Sequence, residues 1–126
     1  MKLKTLLVFN AIVALVYGIG LVLVPAAVAV LHGITPSPGT NLVGQFFGVT
    51  LIGIGLLVWF ARNVADPVAQ RAIVLAQLVA TVIGVIVAVL GTLSGVMGAL
   101  GWLAVGIYLL LALGYGYFQF VKPGAS

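Results

Sequence analysis

The chain has no cysteine among its 126 residues, and Asp66 is the only acid. The first absence excludes disulfides, thiolate nucleophiles and Cys-ligated zinc or iron–sulfur centres. The second excludes a carboxylate dyad for general acid–base chemistry. His32 is the only histidine, so one chain cannot supply the two facing imidazoles of a bis-His haem. Ser37, Ser94 and Ser126 have no evident base partner for nucleophilic catalysis. Charged residues make up 5% of the chain, against about 25% in soluble domains. A soluble fold of this composition could not cover its surface with polar groups.

What is present is apolar. Hydrophobic residues reach 64%, the mean hydropathy is +1.41, and the net charge is +4. The basic residues are few and spread out, which fits anionic lipid headgroups and gives no reason to expect nucleic acid. Lys2 and Lys4 precede the first apolar segment, Arg62 and Arg71 flank the loop with the single acid, and Lys122 follows the last segment. Every Lys and Arg thus falls on one side of four long apolar segments. By the positive-inside rule this predicts an all-α, four-transmembrane-helix up-down-up-down bundle with both termini in the cytoplasm, placed as one domain over 1–126 in the cytoplasmic (inner) membrane.

The predicted helices cover about 3–31, 41–61, 67–91 and 99–121. The start resembles a signal peptide, with Ala27-Val28-Ala29 as a cleavage motif. Its apolar run from Thr5 to Leu31 is far longer than the roughly 7–15 residues of a signal h-region, so it reads as the first span. At roughly 40 Å it is too long to stand upright. Pro25 frees the carbonyl of Leu21 and permits a kink, which would tilt Ala26 to Leu31 into the outer interface. His32 and Gly33 then stop the helix, Gly33 taking a left-handed conformation. The run from Ile34 to Thr40 reads as a breaker loop. Asp66-Pro67 is a strong helix start, with Asp66 loosely paired to Arg62 or Arg71. Trp59, Trp102, Tyr115, Tyr117 and Lys122 read as interfacial anchors.

Lipid gives helices no hydrophobic reason to associate, so small residues and interhelical hydrogen bonds must do it. Gly44, Gly48 and Gly55 lie on one stripe of the second helix, and Thr81, Gly84, Ala88 and Gly91 on one of the third. Packing within the chain explains these glycines; an interface between copies is the alternative. Polar residues inside the segments are Asn10, Tyr17, Gln45, Gln77, Thr81, Tyr108 and Tyr115. They share stripes with the small residues, so they are expected to face inward. Asn10, Gln77 and Tyr115 fall at one depth, about 9–10 Å below the cytoplasmic boundary. Their expected role is to hydrogen-bond one another and lock the bundle. The alternative is a pocket for a small or lipid-like ligand. His32 is expected to cap the first helix at the outer interface, with a single axial bond to a haem or pigment as the other option. No metal site is predicted.

Asn10, Pro25, the GQFFG of the second helix, the GIGLLVWFAR that closes it, and Arg71 together resemble a group of small prokaryotic four-helix membrane proteins of unassigned function. The resemblance covers most of the chain and implies a fold with both termini inside; it does not imply an activity. Members of the group often carry a basic residue near the start of the second helix, where this chain has Gln45. The chain does not look like a small multidrug exporter, since its first helix lacks a carboxylate, nor like a quinone-linked disulfide enzyme, since it lacks cysteine. The expected function is that of a non-enzymatic membrane protein. It would be an accessory subunit of a larger complex, or a binder of a lipid-like, quinone or pigment molecule. Expected partners are the bilayer and either copies of itself or other membrane subunits. The alternative is a passive channel or transporter for a small neutral solute.

Overall fold

The computed structural model describes residues 2–96 and 101–121, and every regular element among them is helical. These are α1 (Leu3–Leu23), α2 (Pro25–Leu31), α3 (Pro38–Ala61), α4 (Pro67–Leu93) and α5 (Gly101–Gly116), whose chain continues into a π-helical turn, Tyr117–Val121. Four stretches are long and apolar enough to cross a membrane: α1, α3, α4 and Gly101–Val121. The predicted start of the fourth span at Ala99, and the anchor Lys122, lie outside the described residues.

The first expected helix is two. Proline lacks an N–H and bars the residue before it from the helical region. Val24 accordingly sits at φ −136°, ψ 60°, and α1 ends one residue earlier. The result is a break with a change of direction rather than a kink. A Cβ placed on Gly20 would lie 3.5 Å from Val28 Cγ2, and the His32 ring lies 6.1 Å from that of Tyr17. Both contacts pair residues nearly symmetric about Val24, so α2 folds back along the C-terminal half of α1. The single helix expected over 3–31 is therefore two, the second reversed against the first. α2 ends in a Schellman motif: Gly33 N–H bonds Val30 O at 3.0 Å, Ile34 N–H bonds Ala29 O at 2.8 Å, and Gly33 has φ 74°.

α3 begins three residues before the predicted Asn41. Ser37 and Thr40 form a capping box: Thr40 N–H donates to Ser37 Oγ at 3.1 Å and Ser37 N–H to Thr40 Oγ1 at 2.8 Å. Pro38 occupies the first helical position, where its missing N–H has no cost. What read as a breaker run is in part a start signal. At the far end Arg62 donates to Trp59 O at 2.6 Å and lies 4.0 Å over the Trp59 ring, so it turns to the indole and not to Asp66. Asp66 caps α4, accepting from Val68 N–H at 3.3 Å. α4 runs to Leu93, two residues past the expected Gly91, which lies half-buried inside its last turns.

The helices associate as two pairs, α1 with α3 and α4 with α5. A Cβ on Gly18 would meet Gly48 O at 2.8 Å, one on Gly48 would meet Gly18 O at 2.7 Å, and one on Gly55 would meet Leu15 Cγ at 2.8 Å. Gly44 faces Leu21 and Pro25 at 3.6 and 3.9 Å. The stripe on α3 is therefore occupied by α1 of the same chain. In the other pair, Gly84 receives the face of the Tyr108 ring, with Cδ1 2.5 Å from where a Cβ would stand.

One cluster joins the pairs. It comprises Leu3, Leu6, Leu7 and Ala11 of α1, Val58 of α3, Val74 of α4, and Leu111, Tyr115 and Phe118 of the last helix. These residues come from the first turns of α1 and α4 and the last turns of α3 and α5, the ends that carry Lys2, Lys4, Arg62 and Arg71. In the opposite half, Ala14, Gly18, Leu21 and Gly48 are buried along the α1–α3 seam. Only 17% of the most apolar window of α3, and likewise of α4, is buried within the chain. The rest of those faces is apolar surface, such as Val43, Phe46, Phe60, Val79 and Leu90, suited to lipid tails.

Candidate functional site

Two places combine polar side chains with apolar walls. The first is a node inside the joining cluster. Asn10 Nδ2 donates to Tyr115 Oη at 2.7 Å and to Gln77 Oε1 at 3.2 Å. One amide on α1 thereby ties α4 and α5 to the first helix pair. Asn10 is 5% exposed and Tyr115 is fully enclosed. The node is not saturated. Among the described residues, Asn10 Oδ1, Gln77 Nε2 and the Tyr115 hydroxyl hydrogen have no partner, so these residues do not fully satisfy one another. Turning both amides over keeps the two contacts and lets Tyr115 donate, but leaves as much capacity open.

The second place is a cleft of about 300 Å³ lined by Val16, Tyr17 and Gly20 of α1, Val28 and Leu31 of α2, His32, and Leu103 of α5. The folded-back α2 supplies one of its walls. Tyr17 does not join Asn10 and Ala14 on the buried face; its ring turns to His32 at 6.1 Å, tilted by 32°. His32 caps α2 through its backbone, donating to Ala29 O at 3.1 Å and Val28 O at 3.2 Å. Its Nδ1 is buried and unpartnered.

The other predicted polar residues serve local structure. Gln45 Nε2 donates to Val22 O at 3.1 Å, capping a carbonyl released at the helix break. Thr81 bonds back within its own helix, to Gln77 O at 2.7 Å. Tyr108 is half-buried with its ring on Gly84. Sequence reasoning missed Gln70, which is 5% exposed. Its Nε2 donates to Val64 O at 2.6 Å and pins the turn before α4, while its Oε1 is buried without a partner. The signal was available: Gln70, Val74, Gln77 and Thr81 recur at helical spacing along one face. Asn41 Oδ1 is likewise buried and unpartnered.

The chain matches no protein family, no curated protein and no solved structure.

Proposed function

We propose that the chain is a non-enzymatic, multi-pass protein of the cytoplasmic membrane that binds a lipid-like molecule in the cleft between its two helix pairs. In this reading the spans run up-down-up-down, with both termini and the Arg62–Arg71 turn on the cytoplasmic side. The collection of all four basic-flanked helix ends around one cluster supports that orientation, since Lys and Arg favour the cytoplasmic side. The observation that carries the binding role is the contrast between a packed end flanked by the basic residues and an apolar-walled cleft lined by α1, α2 and α5, which a lipid-like molecule would enter from the acyl-chain region. A path for a neutral solute would have to pass through Leu6, Leu7, Leu111 and Phe118, all nearly enclosed, which weighs against the channel alternative.

The role of accessory subunit draws on the outward aromatic face of α3, where Phe46 and Phe60 are 66% and 71% exposed. A bare aromatic surface of this kind suits either lipid or a neighbouring membrane subunit. Purification in mild detergent, followed by mass spectrometry of co-purifying lipids and proteins, tests both. A lipid-like molecule retained at fixed stoichiometry is the expected result, and a chain that retains none would sink the proposal. Orientation is checked separately. Cysteine at Thr35, which leaves the Ser37 cap intact, should react with an impermeant reagent from outside the cell, and cysteine at Asn63 should not.

A further inference from the structure

We infer that the cleft recognises an uncharged, carbonyl-bearing lipid of the quinone class, through Tyr17 and His32. This rests on the cleft's being a binding site, as proposed above, and adds the chemistry of its occupant. The argument starts from depth. α1 has 21 residues, so it rises roughly 31 Å, about the thickness of the hydrocarbon core. Tyr17 lies six residues before the end of α1, Leu23, hence roughly 9 Å inside the outer boundary. Because α2 folds back, His32 returns to that level instead of standing at the interface. A donor pair at this depth lies below the reach of a phospholipid headgroup, whose phosphate would have to be drawn into hydrocarbon at large cost. A neutral ring carrying carbonyl oxygens can descend that far, and its tail can leave through the open side.

The polar groups fit such a head. His32 Nδ1 is closed off with no acceptor beside it. A hydrogen there would be an unmet buried donor, whereas bare acceptors are the more commonly tolerated orphan. The proton of the neutral ring therefore belongs on Nε2, which is left free to donate. Tyr17 lines the same cleft beside His32, and its hydroxyl would be the second donor. The remaining wall is aliphatic, from Val16, Val28, Leu31 and Leu103. Its volume of about 300 Å³ is at the small end for ligand pockets, enough for one ring with the start of a tail.

The test uses the full chain in detergent micelles and a benzoquinone bearing a decyl tail, with saturable quenching of tryptophan fluorescence as the readout; Trp102 adjoins the cleft residue Leu103. Decylbenzene, which has the tail and ring without carbonyls, and phosphatidylethanolamine are added as competitors. The expected result is saturable quinone binding that neither competitor displaces. His32→Phe and Tyr17→Phe should each weaken it about fivefold, the loss of one hydrogen bond, and Gly20→Leu should block it. If both phenylalanine variants bind as the unaltered chain does while Gly20→Leu blocks, the cleft stands and the carbonyl recognition falls. Displacement by phosphatidylethanolamine would also overturn the inference. Binding untouched by Gly20→Leu would overturn the cleft itself, and the function proposed for it. Should His32→Phe not fold, Tyr17→Phe carries the same decision.

Discussion

The two ends of this molecule are built differently from the same few residue types. At the basic end, Leu, Val and Phe side chains from four helices interlock around Asn10, Gln77 and Tyr115. At the other end lie close glycine seams within a pair, such as Gly18–Gly48, and a cleft lined by α1, α2 and α5. In lipid, apolar surface alone does not pull helices together. Where a polar node and close-fitting side chains coincide, the pairs join. Where they do not, lipid competes on equal terms.

The most damaging change should be one that breaks a seam holding the open end. Gly48→Leu puts a side chain against Gly18 O and Leu21, and neither helix backbone can move away without losing the rest of its seam. We expect a loss of about 3 kcal/mol, at the upper end for overpacking. Denaturation in mixed micelles would measure it, and near-neutral behaviour would mean that α1 and α3 are not held by this approach. Next comes the node. Asn10→Leu removes both interpair hydrogen bonds and should cost about 1–2 kcal/mol in the same assay, the range seen for interhelical polar contacts in model peptides. It should also let the pairs separate at the basic end, so that cysteines placed at Leu6 and Gly114 lose their proximity. Unchanged crosslinking between those positions would show that the apolar cluster alone joins the pairs.

Gln77→Leu removes only the longer bond, and its expected cost is about 0.6 kcal/mol, the typical value for such pairs inside a membrane. If the node instead holds a ligand, that change would deplete a co-purifying molecule without altering the stability of the empty protein. The smallest effect belongs to Gly53→Ala. Nothing lies within 4 Å of a Cβ there, so the change should stay within about 0.5 kcal/mol, against several times that for Gly48 on the same helix. Equal effects at Gly48 and Gly53 would erase the distinction between seam and lipid face.

Much of this arrangement was legible before the fold was known. Helical periodicity put Asn10, Gln77 and Tyr115 at one depth on inward stripes, and the structure brings these side chains into contact. Asp66-Pro67 marked the start of α4 because a carboxylate cap and a proline at the first position act locally. The same local logic would have moved the start of α3 to Pro38 had Ser37 and Thr40 been read as a capping pair. Other features were out of reach. Pro25 announced a disturbance, but its direction depends on what α2 can pack against. Gln45, placed among the inward polar residues, turns out to cap Val22 O at the break. Its partner does not exist until the break has formed.

The sequence by itself determined an all-helical chain with four stretches able to cross a bilayer, because length and hydropathy are properties of consecutive residues. It also placed Asn10, Gln77 and Tyr115 at one depth, since the rise per residue is fixed in a helix. Only the tertiary structure decided that one cluster joins the two helix pairs, and that His32 comes back beside Tyr17. Those outcomes depend on which residues meet across separations that run from 15 positions, at Tyr17 and His32, to 105, at Asn10 and Tyr115, and in lipid that choice is made by the fit of a few close contacts rather than by hydrophobicity.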